Sequence, residues 1–327
     1  MNSTERIYRV LNNENVDRIP FSLWRHFPGF EHTSNGLAKK IIEFQKKFDL
    51  DLIKITPSSG YFAEAFGGCF DYRKDEYGVK KGIKEFSHSS VKSYMDWNKL
   101  EILNGKILER EIDVVKIVNS EFKNEVPIFQ TVPNAITLAK IIRGEAWIDD
   151  IREHPEHFKN GLKIINNAIL RFCIDSIKSG ANGIFLFTQI AGQNDLSKEE
   201  YNEFQINFDY QILNELKNKK VLSILHIHGL DIAFDLFSKY PVHIMNWHDQ
   251  CTKPSLSEAQ KIFKGVVLGG IDENNVLAIK RPEDITLQVK KAIKQTNGKR
   301  LIIGPGCTIP INTSEENIKA IKKALTL

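Results

Sequence analysis

The feature of this sequence that most restricts its fold is a repeated alternation of short apolar runs with longer segments of helical periodicity. Eight such runs, rich in β-branched residues, lie at residues 19–24, 52–57, 126–133, 183–188, 221–229, 242–248, 266–272 and 300–307. Because both faces of each run are apolar, the runs are typical of parallel strands that are buried on both sides. Eight βα units in 327 residues predict an α/β fold, a (β/α)8 TIM barrel, over the competing doubly wound open sheet.

Three of the segments between the runs carry a helix-start signal, a hydroxyl residue followed three positions later by a carboxylate. In such a capping box, the two side chains satisfy backbone N–H groups at the start of the helix. The pairs are Ser197 with Glu200, Ser255 with Glu258, and Thr313 with Glu316.

The stretch 63–125 is longer than one βα unit requires. It contains the polar and aromatic segment FGGCFDYRKDEYGVKKG, in which DEYG at residues 75–78 is a turn signal. We therefore expect an insertion after the second strand, with a β-hairpin and helices over the barrel mouth. No Pro/Gly/Ser-rich linker divides the chain, so residues 1–327 are predicted to form one domain.

The charge balance and the cysteines narrow the classes of function and the compartment. The chain has 45 Lys+Arg, 41 Asp+Glu and no long basic run, so it lacks the electrostatic signature of a nucleic-acid or membrane-binding protein. A small-molecule substrate is the better expectation. The four cysteines include no CxxC pair, and no apolar stretch is long enough to span a membrane or to act as an export signal. We expect a cytoplasmic protein.

Polar residues are concentrated where the predicted strands end, and in a TIM barrel these carboxyl ends form the active-site face. The candidates in chain order are Arg25, His26, Gln189, His226, His228, Trp247, His248, Asp249, Gly269, Gly270, Asp272, Gly304, Gly306 and Cys307.

His226 and His228 form the most informative pair among these residues. Alternate residues on a strand point the same way, so both imidazoles can face the barrel lumen. Together with Asp249 and Cys307 they supply N, O and S ligands of the types that zinc prefers. The alternative for any one of these histidines is an ordinary, hydrogen-bonded core residue.

Other strand-end residues have a binding role and a purely structural role as open alternatives. Arg25 would hold an anionic substrate group or form a rim salt bridge, while Gln189 would orient the substrate. His26, Trp247 and His248 are further candidates for substrate contact, and the two histidines could equally orient metal ligands or simply pack. The glycine pairs after strands seven and eight would cradle a phosphate or only permit tight turns.

The segments IPFSLWRHFPG, LHIHG, NWHD, GGID and GPGCTIPINTSEENI together resemble the uroporphyrinogen decarboxylase superfamily. The resemblance spans nearly the whole chain, and GPGC-x-IP followed by T-x-x-E-N-I is its most specific part. It implies the (β/α)8 fold and one of two branches, the true decarboxylases or the methylcobalamin:thiol methyltransferases that act with corrinoid proteins.

Most of the residues that the decarboxylase branch implies are missing. Of the two arginines that bind substrate carboxylates, Arg25 matches the first and Gly29 stands at the second. The aspartate that holds the pyrrole nitrogens falls near residues 52–54, where Asp51 is the nearest carboxylate. The tyrosine maps near Lys140, the serine near Gln189 and the C-terminal histidine onto Pro305. A substrate with many carboxylates needs several cations, so the pattern argues against decarboxylation of a porphyrinogen.

The methyltransferase branch fits better. Its zinc ligands imply that His226 matches a histidine, that His228 replaces a cysteine, that Cys307 matches a second cysteine and that Asp249 fits an acidic residue. One thiolate and one carboxylate would leave the zinc site formally neutral and more Lewis-acidic than a two-thiolate site.

The sequence therefore favours a zinc-dependent methyltransferase. His226, His228 and Cys307 would be its catalytic residues, and its methyl donor would be methylcobalamin on a corrinoid partner protein. Two alternatives stay open: a uroporphyrinogen decarboxylase or related carboxy-lyase, and a barrel that binds a tetrapyrrole or metal without turnover. The methyl acceptor and the oligomeric state do not follow from the sequence.

Overall fold

A computed structural model describes residues 1–71, 85–88 and 90–325, without the side chains of residues 70, 71 and 85–88. Seven parallel strands form one curled sheet, in the order β1-β4-β5-β6-β7-β8-β9, and β2 pairs with β3 in a separate antiparallel hairpin. The strands are β1 (Ile53–Ile55), β2 (Cys69–Asp71), β3 (Glu85–His88), β4 (Ile128–Pro133), β5 (Gly183–Thr188), β6 (Leu222–Ile227), β7 (Ile244–Trp247), β8 (Val266–Ile271) and β9 (Leu301–Pro305).

Helices cover the outer face of the sheet and separate most consecutive strands. They are α1 (Ser3–Leu11), α2 (Ser34–Phe48), α3 (Tyr61–Ala65), α4 (Gly105–Phe122), α5 (Ala135–Arg143), α6 (Trp147–Glu153), α7 (Pro155–Lys178), α8 (Lys198–Tyr201), α9 (Asn207–Asn218), α10 (Phe234–Phe237), α11 (Leu256–Ile262), α12 (Pro282–Thr296) and α13 (Glu315–Leu325). Short 3₁₀ turns lie at Tyr94–Lys99 and Gly144–Ala146, and π-helical turns at Asn202–Ile206 and Glu273–Leu277. Within the described part of the chain, no helix has the length and apolar character needed to cross a membrane.

Seven of the eight predicted runs contain the seven strands of the sheet, so the α/β class and the parallel arrangement are confirmed. The first run, residues 19–24, is an extended segment with one bridge, from Phe21 to Ile303 of β9. Its backbone reaches both edges of the sheet: Ser22 N donates to Ile303 O, and Asp51 N donates to Phe21 O. Pro20 has no N–H to donate, which limits the ladder at this position.

The region between β1 and β4 contains α3, the hairpin of β2 and β3, the turn Tyr94–Lys99 and α4. The expected antiparallel hairpin is present, while the turn expected at residues 75–78 lies outside the described residues. Because α4 packs against α2, it covers the sheet like the helix of an ordinary βα unit.

Two of the three predicted capping boxes are present, at Ser197 and Ser255. The third prediction is wrong by one residue, because the hydroxyl of Ser314, and not that of Thr313, accepts a hydrogen bond from Asn317 N at the start of α13. Adjacent hydroxyl residues give the same sequence signal.

The amino end of the sheet is held by a buried carboxylate. Asp51 is fully buried and lies 2.5 Å from guanidinium nitrogens of both Arg6 and Arg18. It also accepts hydrogen bonds from the Phe21 backbone and the Ser3 hydroxyl. Asp51 therefore fastens the extended segment and α1 to β1, far from the carboxyl ends of the strands.

Candidate metal centre

Four side chains that can bind metal converge at the carboxyl ends of three strands of the sheet, β6, β7 and β9. His226 is on β6 and His228 follows it, His248 follows β7, and Cys307 follows β9. One donor atom from each residue lies within 4.8 Å of those of the other three. This is a donor set of three imidazole nitrogens and one sulfur, whose types suit zinc.

A hydrogen bond to Asn246 fixes the tautomer of His226. The Asn246 amide nitrogen donates to the carbonyls of Leu268 and Pro305, both at 2.9 Å, so its oxygen is the atom that faces Nδ1 of His226 at 2.6 Å. Nδ1 must therefore carry the proton, and the lone pair of Nε2 is left for a ligand.

His248 is held by a carboxylate behind it. Its Nδ1 lies 3.0 Å from Oε1 of Glu273, whose other oxygen accepts a hydrogen bond from Gly306 N. Its Nε2 lies 3.4 Å from Nδ1 of His228. Burial alone would lower the pKa of His248, but hydrogen bonds to Cys307 and Glu273 outweigh it and raise the pKa to about 10.

The thiol of Cys307 is surrounded by the three imidazoles. Burial alone would raise its pKa, but hydrogen bonds with His226, His228 and His248 hold the pKa well below the ordinary value of 9.0. Burial lowers the pKa of His226. The cluster therefore favours a thiolate beside a neutral His226, which are the protonation states in which Cys and His bind metal.

A cavity of about 140 Å³ opens beside the cluster, with apolar walls and a few polar groups. His226, His228 and Cys307 line it, whereas His248 does not. The remaining lining residues are Trp24, His26, Lys54, Thr56, Pro57, Ser58, Ser59, Tyr61, Thr131, Phe185, Phe187, Gln189 and Thr308.

Lys54 projects from β1 into this cavity and is only 8 % exposed. Its ammonium group lies 4.6 Å from the ring centre of Phe185 and 5.7 Å from that of Trp24. Burial lowers its pKa to about 7, against a smaller opposing effect of Cys307.

The structure brings five of the nine predicted site residues to this place. His226, His228 and Cys307 line the cavity beside the cluster, with His26 and Gln189 also in its wall. His26 is further held by Glu31, 2.9 Å from its Nδ1. A sixth residue, His248, was predicted to touch substrate but belongs to the donor cluster.

Arg25 and Trp247, which were predicted to contact substrate, are not among the residues that line the cavity. Arg25 points outward, over the rings of Phe27 and Phe44, and donates to Ile311 O. Trp247 is buried and donates to the carbonyl of Pro254 on the helix side of the sheet. Each is adjacent in sequence to a residue whose side chain faces the inner side of the sheet. Because successive side chains of an extended chain point to opposite faces, the side chains of Arg25 and Trp247 point away from the cavity.

Asp249 is not in the cluster either, and His248 stands in the place expected for it. Its carboxylate accepts hydrogen bonds from Gly270 N and the Gln250 side chain. It borders a separate surface cleft of about 1240 Å³, and burial raises its pKa to about 7. The sequence predicted two anionic donors, Cys307 and Asp249, and hence a formally neutral zinc site. The observed donor set contains one anionic group, Cys307.

Sequence reasoning missed Lys54, Trp24, Asn246 and Glu273. For two of them the sequence contains a signal that could have identified them. Lys54 is a charged residue inside the apolar run LIKIT, and Asn246 lies two positions before His248, in phase with it. Nothing in the local pattern marks Glu273, which the π-helical turn Glu273–Leu277 brings behind the cluster.

Comparisons with known proteins show the family and the fold of this chain. The family model described as uroporphyrinogen decarboxylase (URO-D) matches residues 2–326. Two curated proteins called methylcobamide:CoM methyltransferase MtbA are similar over 96% of this chain and 95% of their own length. The one from Methanosarcina acetivorans is 22% identical and the one from Methanosarcina mazei 21%.

Among solved structures, a methyltransferase from Methanosarcina mazei superimposes with a TM-score of 0.85 at 16% identity, over 99% of this chain and 98% of its own. A B12-independent methionine synthase from Shewanella sp. W3-18-1 has a TM-score of 0.56 at 14% identity, with 94% of each chain covered. At these identities the likeness concerns the fold.

Proposed function

This chain belongs to the uroporphyrinogen decarboxylase family, and we propose that it is a corrinoid-linked methyltransferase that activates a thiol acceptor at the His/Cys cluster. The observation that carries the proposal is the convergence of His226, His228, His248 and Cys307 at the wall of a cavity. The similarity to two methylcobamide:CoM methyltransferases supports it.

The residues present fit a zinc ion. Ligands of one tetrahedral ion lie about 3.3–3.8 Å apart, given bonds of about 2.0–2.3 Å. The donor atoms lie within 4.8 Å of one another, so they would close on the ion by about 1 Å. Two of the imidazoles are already oriented by Asn246 and Glu273, as ligating histidines usually are. Zinc bound there would supply Lewis acidity that favours the thiolate form of the acceptor.

The cavity determines from which side an acceptor reaches the cluster. His226, His228 and Cys307 line the cavity, whereas His248, which contacts Glu273, is not among its lining residues. Catalytic zinc sites commonly have three protein ligands and leave one position for substrate. We infer that His226, His228 and Cys307 would hold the ion from the cavity side and that His248 would complete the donor set.

The size of the cavity restricts how a methyl donor can approach the cluster. Pockets for drug-sized ligands measure roughly 300–1000 Å³, and this one measures about 140 Å³. A corrin ring does not fit in it, so the donor must present its methyl group from outside the cavity. A methylcobamide on a separate corrinoid protein meets this requirement.

The same size weighs against the alternative, decarboxylation of uroporphyrinogen, since a tetrapyrrole is also too large. Among the described lining residues, Lys54 is the single lysine or arginine that could meet its several carboxylates. A barrel that binds metal without turnover is the second alternative, and the assay below separates it from the enzyme.

The finer features of the fold belong to this proposal. We infer that residues 20–22 close the seven-stranded sheet into an eight-membered barrel, since their backbone bonds to both β9 and the residues before β1. We also infer one domain over residues 1–327, with the elements between β1 and α4 inserted beside the barrel mouth. A cytoplasmic location suits four cysteines that are all free.

Methyl transfer from free methylcobalamin tests the function. With zinc-loaded protein and a small thiol, we expect a thioether product and cob(I)alamin. The Co–C bond breaks heterolytically, its electron pair stays on cobalt, and the methyl group bonds to sulfur. Cys307→Ser should abolish the reaction, whereas Cys173→Ser, a change at a buried cysteine outside the cavity, should not. Absence of product over a panel of thiols, with zinc bound, would leave the non-catalytic alternative.

A further inference from the structure

A histidine and a glutamate form a hydrogen-bonded pair at the wall of the cavity. His26 lines the cavity, whereas Glu31 is buried beside it. Nδ1 of His26 lies 2.9 Å from Oε1 of Glu31, and the same oxygen accepts a hydrogen bond from Phe27 N at 2.7 Å. Because a carboxylate oxygen only accepts, Nδ1 of the neutral imidazole carries the proton, and the lone pair of Nε2 is left for another group.

The turn that precedes Glu31 builds this pair. Phe30 N donates to Phe27 O at 3.0 Å, across a turn whose two central residues are Pro28 and Gly29. Proline suits the first central position, and the φ of +84° at Gly29 suits the second position of a type II turn. The turn reverses the chain and so brings the glutamate back to the imidazole.

The proposed reaction releases a proton, and the cavity wall has few groups that can accept it. The acceptor thiol loses its hydrogen when it becomes a thiolate, and methylation of the sulfur does not restore it. Among the lining residues that the structure describes, six have ionisable side chains. Three of them, His226, His228 and Cys307, would hold the metal. Tyr61 keeps its proton, because its hydroxyl donates to Thr131 O at 2.7 Å and burial raises its pKa well above the ordinary value.

Lys54 and His26 are the two that remain, and their surroundings differ. Burial lowers the pKa of Lys54 to about 7, so this amine can lose its proton. Its ammonium group, however, lies over the rings of Phe185 and Trp24, which favour the charged form. Lys54 is also only 8 % exposed, whereas 30 % of the His26 side chain is exposed. His26 can therefore receive a proton from the cavity and pass it to solvent.

We propose that His26, oriented by Glu31, is the catalytic base that takes the proton of the acceptor thiol. This inference rests on the proposed function and adds the group that accepts the proton and releases it. The S–H bond breaks, its electron pair stays on sulfur, and the proton goes to Nε2 of His26. The carboxylate of Glu31 stabilises the resulting imidazolium, which then gives the proton to water.

Counting the protons released on thiol binding tests this role without relying on turnover. The zinc-loaded, full-length protein is titrated calorimetrically with 2-mercaptoethanol at pH 7, in two buffers of different ionisation enthalpy. In His26→Asn the amide can still donate to Glu31, so only the base is removed. This variant should release about one proton per bound thiol, because the thiol binds as a thiolate. The wild type should release clearly less, because the imidazolium beside the thiolate keeps part of the proton.

The pH dependence of methyl transfer from free methylcobalamin is the second readout. His26→Asn should lower kcat/KM by about 100-fold at pH 7, and the loss should shrink towards pH 10 as bulk base replaces the imidazole. Glu31→Gln should show a smaller loss with the same trend. The matched control is His157→Asn, since His157 also bonds through Nδ1, to Asn98, but outside the cavity. It should behave like the wild type.

Three results overturn the catalytic base. They are a proton count that is equal in His26→Asn and the wild type, a loss of kcat/KM that is the same at every pH, and a pH-dependent loss that appears in Lys54→Met instead. The second result would show that the pair only holds the turn, and the third would assign the base to Lys54. If His26→Asn does not fold, His26→Gln and Glu31→Gln decide the question by the same measurements.

The two readouts also separate this inference from the proposed function. A proton count that depends on His26, without any methyl transfer, keeps the base and contradicts the methyltransferase. Methyl transfer that is unaffected by His26→Asn does the reverse. Zinc-loaded wild-type protein that binds no thiol contradicts both.

Discussion

The side-chain oxygen of Asn246 lies 2.6 Å from Nδ1 of His226, and two backbone carbonyls hold the same amide in that orientation. Asn246 thereby directs the Nε2 lone pair of His226 towards the donor cluster. It is a positioning residue for the metal centre, although it does not itself belong to the donor set.

Replacement of Asn246 by leucine should weaken zinc binding by about 10–100-fold, because the tautomer and orientation of His226 are released. Competition with a chelating dye measures the affinity. Asn166→Leu is the control: Asn166 is equally buried and bonds to Gln211 on the far side of the sheet. A zinc affinity of Asn246→Leu that matches that of Asn166→Leu contradicts this role.

Cys307 should react as a thiolate at unusually low pH in metal-free protein. Its pKa is held well below 9.0 by the surrounding imidazoles, so iodoacetamide labelling should stay nearly constant as the pH falls from 9 to 6. Cys251 is the internal control, since burial and Asp272 raise its pKa and its labelling should fall steeply over the same range. Peptide mass spectrometry reads both sites, and parallel profiles argue against the thiolate.

Asp51→Asn should lower the free energy of unfolding by about 3–5 kcal/mol, because two arginines would lose their shared buried carboxylate. Urea denaturation measures the loss, and the zinc content of the folded protein should not change. Asp17→Asn, at a half-exposed partner of Arg6, should cost about 1 kcal/mol or less. Equal losses in the two variants would show that Asp51 does not fasten the sheet.

The sequence predicted the strands of the sheet well because each is a continuous apolar run, and this pattern depends only on burial. It did not predict that residues 19–24 would form a single bridge, since Pro20 breaks the ladder in a way that apolar periodicity does not record. Nor does a hydroxyl pattern distinguish Thr313 from Ser314 as the residue that starts α13.

The apolar character of both strand faces also explains which site residues could be predicted from the sequence. His226 and His228 were predicted as a pair, and alternation puts both in the cavity wall. In a strand that is apolar on both faces, however, the pattern does not show which alternate set points inward. Arg25, Trp247 and Asp249, which the sequence also suggested for the site, are outside the cavity wall and the donor cluster. Their neighbours Trp24, Asn246 and His248 face inward.

The metal content of the protein tests the central claim most directly. Full-length protein purified without a histidine tag should carry close to one zinc per chain, or take up one zinc from a zinc-supplemented buffer. Cys307→Ser should lose most of it, and chelation should lower the melting temperature of the wild type. Wild-type protein that holds no zinc, takes none up and melts at the same temperature with and without chelator would contradict the account.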